Sequence, residues 1–367
     1  ILVLVAFVTS FNYFKTTNTY IEDNINNQTK ITKGISMNLE QTAGAGDYKT
    51  VTQSSWPTEG YKFNAELSSC ENGSTLSWDD TKKAVIVSGN LSDKCYVYFD
   101  IYQPTLAEYI KSQYTGTQGD NALYYHNSTL TNGAGDNSYR YAGASDSVNN
   151  YICLGSDEAT CPEANLFRII GVFGDKTKVI RAKSVGNQKW DTNGSNTWSS
   201  SSLNTYLNGE YLTSLGTLAN KIATTTWKVG GGSSTNLYDV PKTAYQYEVG
   251  SSASSTTVNK KIGLMYVTDY YYSASPSAWT LVGFNSSDET KDYRAATSTN
   301  WLYLSSFEWT ISRLSDDTFN AFAVYNTGRV NNNFVTNSNA VRPSFNLLSS
   351  TTYVSGSGSM SDPVRVN

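Results

Sequence analysis

The most apolar part of the chain is its first fourteen residues. Residues 1–8 read ILVLVAFV, and the first charged side chain is that of Lys15. Further along, isoleucine and leucine residues recur at intervals of four in two short series: Ile21 and Ile25, then Ile31, Ile35 and Leu39. Such spacing places them on one face of a helix, and the AGAG sequence at 43–46 is typical of a helix end. The pattern predicts one long helix within residues 1–45.

Residues 46–100 carry a different pattern, with short β-prone runs separated by the turn sequences ENGS and SGN. The residues that form these runs are Tyr61, Phe63, Val85, Ile86, Val87, Tyr96, Val97, Tyr98 and Phe99. Runs of this length between turn residues favour strands. We therefore expect a small β module here, with no chemistry of its own.

The remainder, residues 101–367, mixes both periodicities. Helical spacing is found at 104–114 and 198–215. Apolar, β-branched or aromatic runs predict strands at 166–173, 178–182, 262–267, 301–305, 307–312, 322–326 and 341–347. This mixture predicts an α+β head domain, so that the whole chain is expected to be α+β with a long N-terminal helix.

Four cysteines bear on the compartment. Cys70 and Cys95 flank a strand-like stretch, and Cys153 and Cys161 flank the short loop LGSDEAT. Neither pair has CxxC spacing and His126 is the chain's single histidine, so a zinc site is not expected. Two disulfides are the favoured interpretation, paired by sequence proximity, and they indicate an oxidising, extracellular environment. The alternative is four buried thiols in a cytosolic protein.

Composition narrows the class of protein further. Charged residues make up 16% of the chain, below the roughly 25% of an average domain. The chain instead contains 27 tyrosines and many Ser, Thr, Asn and Gly residues, which excludes a coiled-coil rod and a charge-driven disordered chain. A net charge of −4 without a Lys/Arg block argues against nucleic acid as a partner. An extracellular binding or structural protein is the interpretation that remains.

Enzymatic chemistry is not predicted. His126 has no evident nucleophile partner and is expected in a surface loop. Asp316 and Asp317 are adjacent, so on a strand their carboxylates would point to opposite faces and could not act as a glycosidase pair. No spaced Asp-x-Asp run suggests calcium, and no GK[ST] follows the glycine-rich turns. We expect no cofactor and no metal.

The leading apolar segment resembles the start of a processed type IV-type pilin over about the first 45 residues. Burying eight such side chains is worth roughly 12–24 kcal/mol, so lipid or other copies of the chain should cover them. Val5 departs from that family, which carries a glutamate at this position. The resemblance implies a homopolymer assembled through N-terminal helices; the alternative is a membrane anchor in lipid. The implied anchor or assembly residues are Ile1, Leu2, Val3, Leu4, Val5, Phe7, Val8, Phe11 and Phe14.

A second resemblance lies at the other end of the chain. The sequence Phe307-Glu308-Trp309-Thr310, followed by 341–345 (VRPSF), resembles the closing part of C-type-lectin-fold domains related to formylglycine-generating enzymes. The likeness covers roughly 150–367 and implies a C-type-lectin-like α+β head at 101–367. The same region of the chain is also similar to variable proteins diversified by retroelements. The last cysteine is Cys161, so the reactive thiol of the oxidases is missing and their activity is not expected.

This second resemblance implies a recognition surface between Arg313 and Arg342. Serine, asparagine and tyrosine suit such a surface because tyrosine offers rigid contact area while the others adapt their hydrogen bonds. The candidate ligand-binding residues are Ser315, Asp316, Asp317, Asn320, Phe322, Tyr325, Asn331, Asn332, Asn333, Asn337 and Asn339. The alternative is that these polar runs are ordinary solvated turns.

Two charged residues stand in otherwise apolar, strand-like runs. Glu308 and Arg342 are costly to bury unless paired, so we expect each to lie near polar partners in the core, including each other. Their role would then be structural.

Together these features predict a bacterial cell-surface protein, built as a pilin-like filament subunit that displays a lectin-fold adhesion head. The alternative is a membrane-anchored, non-filamentous binding protein with a diversified recognition face. The expected ligand lies on a host, a phage or a neighbouring cell.

Overall fold

The computed structural model describes residues 34–52, 55–57, 59–90 and 92–367. The chain divides into two compact units, residues 1–103 and residues 104–367. Strands account for 34% of the described residues and helices, all of them short, for 21%. The predicted α+β class, with a long N-terminal helix and a C-type-lectin-like α+β head, is therefore wrong, and the protein is mostly β-sheet.

The described end of the predicted N-terminal helix is a strand, β1 (Ile35–Glu40). Ile35, Met37 and Leu39 also alternate with polar residues, and this period of two prevails over the spacing of four. It prevails because β1 gains partners on both sides, pairing in parallel with β6 (Cys95–Ile101) and antiparallel with β2 (Tyr48–Val51). Residues 1–33 of the predicted helix, with all the anchor residues named above, lie outside the described residues.

The first unit is built on one four-stranded sheet in the order β2–β1–β6–β3 and a separate hairpin, β4–β5. Its remaining strands are β3 (Tyr61–Cys70), β4 (Thr75–Asp79) and β5 (Ala84–Ser88). Phe99 is fully buried and receives the ring edges of Phe63 and Trp78. The small core of this unit therefore forms around one aromatic side chain.

The second unit contains two larger sheets. One has seven strands in the order β15–β20–β11–β10–β8–β7, with β9 also paired to β10; the other has five in the order β12–β19–β16–β17–β18. Two further pairs are β13–β14 and β21–β22. The strands are β7 (Leu123–Tyr125), β8 (Tyr139–Tyr141), β9 (Tyr151–Cys153), β10 (Leu166–Phe173), β11 (Lys176–Arg181), β12 (Asn187–Lys189), β13 (Thr225–Lys228), β14 (Thr257–Lys260), β15 (Ile262–Gly263), β16 (Glu308–Arg313), β17 (Asn320–Val324), β18 (Val330–Phe334), β19 (Ser338–Ala340), β20 (Ser344–Asn346), β21 (Tyr353–Ser355) and β22 (Arg365–Val366).

Six short α-helices and several single turns connect these strands. The α-helices are α1 (Leu106–Ser112), α2 (Ser202–Tyr206), α3 (Leu212–Ser214), α4 (Ser234–Leu237), α5 (Pro241–Glu248) and α6 (Val267–Tyr272). A π-helical turn spans Leu207–Tyr211, and 3₁₀ turns span Asp120–Ala122, Glu163–Asn165, Trp198–Ser200, Gly216–Lys221, Pro276–Thr280, Glu289–Lys291 and Tyr293–Thr299. None of the helices in the described ranges is long and apolar enough to cross a membrane.

Strand β10 coincides with the predicted run 166–173, because a central strand covered on both faces has a predominantly apolar sequence, here with Arg168 as the exception. The run 262–267 is interrupted instead: β15 ends at Gly263 and helix α6 begins at Val267. The carboxylate of Glu248, on α5, accepts hydrogen bonds from the backbone N–H groups of Val267 and Thr268, which fixes the start of α6. The predicted strand 301–305 is a turn.

Candidate functional site

The segment from Arg313 to Arg342 forms the outer part of the five-stranded sheet. Strand β17 lies between β16 and β18, and β18 is the last strand of the sheet. Three consecutive asparagines, at 331–333, are tolerated in β18 because an edge strand is only half covered. The predicted recognition residues thus belong to the β17–β18 hairpin and to its flanking loops.

Part of this predicted set is buried and does not reach the surface. Phe322 is fully buried on β17 and packs edge-on against Tyr238. Asn320 and Asn339 are also buried, and the Asn320 amide donates to an Asp317 carboxylate oxygen over 2.6 Å. The assignment of Phe322, Asn320 and Asn339 to a ligand-binding surface is therefore corrected, since neighbouring strands cover them.

The loop between β16 and β17 is held by its own acidic side chains. One oxygen of Asp316 accepts hydrogen bonds from the backbone N–H and hydroxyl of Ser234, at 2.8 and 2.9 Å. Asp317 accepts from the backbone N–H groups of Phe319 and Asn320. Ser315 is exposed, and its backbone N–H donates to the carbonyl of residue 232. These carboxylates shape the loop.

The outward edge of β18 is closed by tyrosine side chains. The Tyr238 hydroxyl accepts from the backbone N–H of Asn332 and donates to the side-chain oxygen of Asn331, at 3.1 and 2.8 Å. The Tyr325 hydroxyl donates to the carbonyl of Asn332 over 2.8 Å. Burial raises the pKa of Tyr238 to about 12, so its proton stays available for this bond. With these backbone groups satisfied, another strand cannot readily pair here.

Two phenylalanines beside this closed edge are the most exposed aromatic side chains of the hairpin. Phe319 retains 46% and Phe334 56% of its accessible surface, and their rings stack with centroids 5.8 Å apart. Close to Phe334 in the chain, the Asn337 amide donates to the side-chain oxygen of Asn333. We call Phe319 and Phe334 the aromatic pair. Sequence reasoning missed both, although Phe319 is a lone apolar residue in the polar run SDDTFN and Phe334 follows three asparagines.

The charged residues predicted to pair in the core do so. Arg342 donates from Nε and Nη2 to the two carboxylate oxygens of Glu308, at 2.6 and 2.7 Å, and both residues are buried. Burial raises the pKa of Glu308, while the Arg342 guanidinium opposes that rise. Nη2 of Arg342 also donates to the Leu302 carbonyl. The prediction of mutual pairing is confirmed, and the pair is enclosed in the interior.

His126 is fully buried, which corrects its predicted place in a surface loop. Its ring lies against Tyr272 and Trp279, and Nδ1 accepts from the backbone N–H of Ala134 over 3.1 Å. Burial lowers its pKa well below the ordinary value, so the imidazole is neutral. In the part of the chain that the structure describes, no three His, Cys, Asp or Glu residues are grouped so as to hold a metal ion.

Both disulfides form with the pairing that sequence proximity favours, Cys70 with Cys95 and Cys153 with Cys161. Cys70 and Cys95 are directly opposite each other on β3 and β6, so the first bond joins neighbouring strands. The second closes the loop that follows β9. Two structural disulfides indicate an extracellular or secreted protein.

The second unit also contains the chain's similarity to a known family. Residues 174–349 match a protein-family model described as a domain of unknown function, DUF6273. This range includes the β17–β18 hairpin and the Glu308–Arg342 pair. Comparisons with curated proteins and with solved structures found no match. The part of the chain that carries the aromatic pair is therefore similar to the DUF6273 domain.

Proposed function

We propose that this is an extracellular binding protein, without catalytic activity, that is displayed on a bacterial surface and attaches to a protein on a host, a phage or a neighbouring cell. The observation that carries the proposal is the exposed, stacked pair of Phe319 and Phe334. Protein interfaces concentrate their binding energy in a few aromatic anchors surrounded by polar groups.

The surroundings of the aromatic pair support a protein ligand. The pair is uncharged, and the residues on either side of Phe334 and Val335 in the chain, 331–333 and 336–339, are polar. The backbone edge of β18 is occupied by Tyr238 and Tyr325, which leaves side-chain contact as the means of recognition. An apolar pocket on a folded partner would remove both phenyl rings from water, at about 25 cal/mol per Å² buried.

The uncharged residues 1–14 support display at the cell surface. In the first form of the proposal, residues 1–14 of many copies of the chain assemble with one another in a pilin-like filament. In the alternative, residues 1–14 of a single copy insert into lipid. Electron microscopy of the purified full chain distinguishes the two. Filaments support the first form, and particles that remain monomeric in detergent support the second.

The binding role is tested by replacing both aromatic residues together, Phe319→Ser and Phe334→Ser. Labelled full-length protein is added to a panel of bacterial and animal cells, before and after protease treatment of the cells. We expect the double variant to bind the recognised cells about 30-fold more weakly or worse, since an aromatic anchor contributes 2 kcal/mol or more. Phe307→Ser is the matched control, because Phe307 is exposed at 37% but lies outside the pair.

Protease treatment of the cells should abolish binding. Binding that survives protease but is lost after glycosidase treatment would show that the ligand is a glycan and overturn the proposal of a protein partner. If a correctly folded double variant binds the cells as tightly as the wild type, the aromatic pair does not take part in recognition.

A further inference from the structure

A second candidate site lies away from the aromatic pair, in a cleft of about 220 Å³ over the seven-stranded sheet. We call it the sheet cleft. Its lining combines charged, aromatic and hydroxyl-bearing side chains: Asp136, Arg140, Phe173, Lys178, Thr225, Thr226, Trp227, Lys228, Tyr245, Val249, Tyr266, Thr268, Asp269 and Asn346. The proposed attachment function uses none of these residues.

The register of the sheet places two cations on the floor of the cleft. Gly171 on β10 is directly opposite both Arg140 on β8 and Lys178 on β11, and Lys178 is opposite Asn346 on β20. Directly opposite residues present their side chains to the same face of a sheet. Gly171 must lack a side chain, because a Cβ there would lie 2.2 Å from the Tyr139 carbonyl oxygen. Arg140 and Lys178 therefore face the cleft on either side of Gly171, which places no side chain between them.

Both cations are buried yet keep unused hydrogen-bond donors. Arg140 donates from Nε to the Ser138 hydroxyl and from Nη2 to Asp136, at 2.8 and 2.7 Å. Its Nη1 is 3.8 Å from the Asp269 Oδ1, too far for a hydrogen bond, and donates to no other described residue. Lys178 Nζ donates to the Asp269 Oδ2 over 2.5 Å and has two further N–H groups. A ligand in the cleft can supply acceptors to these donors.

The charges of the cleft favour a ligand with one negative charge. Arg140, Lys178 and Lys228 outnumber the two carboxylates of Asp136 and Asp269. A monoanion neutralises the excess, whereas a zwitterion or a neutral molecule leaves it in place. The Asp269 Oδ1 accepts no hydrogen bond from the described residues, so it offers an acceptor to a ligand hydroxyl.

Size and shape restrict the ligand further. Pockets for drug-sized molecules enclose about 300–1,000 Å³, so a cleft of 220 Å³ fits a smaller ligand or one terminal group. Phe173 and Tyr266, both half-buried, provide flat apolar surface beside Lys178. A single ring that carries both a carboxylate and hydroxyl groups matches the donors, the free acceptor and the aromatic surface together.

We propose that the sheet cleft binds a sugar acid, with the carboxylate on the free donors of Arg140 and Lys178 and a hydroxyl on Asp269. Either the free monosaccharide or the end of an acidic glycan would supply this chemistry. The test is calorimetric titration of the full-length chain with glucuronate, with glucose and acetate as probes that each carry half of the required groups. We expect one glucuronate per chain, bound at least 10-fold more tightly than glucose or acetate.

Three variants and one control locate the binding. Thr226→Trp adds a large side chain to an exposed cleft wall and should abolish glucuronate binding, whereas Thr257→Trp, on the paired strand outside the cleft, should not change it. Arg140→Lys should weaken binding about 10-fold or more, because the shorter point charge cannot replace Nη1. Lys228→Gln should weaken it about 3- to 5-fold, as expected for a half-buried charge.

Equal affinity for glucose and glucuronate would overturn the proposed carboxylate contact. If the folded wild-type chain binds neither glucuronate nor a longer acidic glycan, or if Thr226→Trp binds glucuronate as tightly as the wild type, the charged residues of the sheet cleft form only an internal ion-pair network. Retention of binding to a longer acidic glycan but not to the monosaccharide would identify the glycan end as the source of the ligand, in support of the proposal. Because the aromatic pair is intact in every variant, cell attachment is a separate readout from sugar binding.

Discussion

Arg342 holds Glu308 through two parallel hydrogen bonds of 2.6 and 2.7 Å, so that a buried cation and a buried anion satisfy each other at the start of β16. Removing one partner leaves the other charged in the interior, which typically costs about 3–5 kcal/mol. We therefore expect Glu308→Gln to lower the free energy of unfolding by about that amount, as measured by denaturant titration. Replacing both residues with methionine should restore much of the loss. A single variant as stable as the wild type would show that the pair is not required.

The acid sensitivity of the second unit should depend on Asp136. Burial alone would raise its pKa, but the Arg140 guanidinium and the Ser138 donors stabilise the carboxylate and lower it overall. Because the folded-state pKa lies below the unfolded value of about 3.9, this carboxylate stabilises the fold above that pH. The contribution is lost as the pH falls towards the folded-state pKa.

Asp136→Asn should consequently reduce stability by about 1.5–3 kcal/mol at neutral pH and flatten the dependence of unfolding free energy on pH below about 4. Denaturant titrations at several pH values measure both effects. An equally steep acid dependence in the variant would assign the sensitivity to other carboxylates.

The cross-strand disulfide should stabilise the first unit by restricting its unfolded chain. The bond between Cys70 and Cys95 spans 25 residues, which corresponds to about 3.5 kcal/mol in the chain-entropy description. Replacing both cysteines with serine should lower the denaturation midpoint of that unit accordingly. The double serine variant of Cys153 and Cys161, separated by 8 residues, should lose less, about 2.5 kcal/mol, in the second unit. If either double serine variant lowered the stability of both units equally, the assignment of one disulfide to each unit would be contradicted.

Gly171 should be among the least replaceable residues of the seven-stranded sheet. A methyl group there would meet the Tyr139 carbonyl oxygen at 2.2 Å, so Gly171→Ala requires the β8–β10 pairing to shift. We expect a loss of about 1–3 kcal/mol, typical of overpacking. Gly209→Ala is the control, since nothing lies within 4 Å of its added methyl group, and it should be neutral or slightly stabilising. Thermal unfolding measures both, and equal stability of the two variants would contradict the close approach.

Several features followed from the sequence because their causes are local or compositional. The run 166–173 forms β10, since a predominantly apolar run, here interrupted only by Arg168, is typical of a strand buried on both faces. Short separations indicated the pairing of the four cysteines. The cost of burying charge in an apolar run identified Glu308 and Arg342 as partners, although 34 residues separate them.

Other features depended on contacts that no local pattern records. Ile35 and Leu39 satisfy helical spacing and strand alternation alike, and only the partners on either side of β1 decided between them. The sequence placed Phe322 on the predicted recognition surface, but in the structure its strand, β17, lies between β16 and β18.

The sequence by itself thus determined which residues must leave water, which charges need partners and which cysteines could join. The tertiary structure decided which polar residues face outward and which cationic side chains lie close together. Arg140 and Lys178 flank one glycine only because β8, from an earlier part of the chain, aligns in register with the hairpin of β10 and β11. That register is set by long-range backbone hydrogen bonds, whose partners cannot be identified from the local order of side chains.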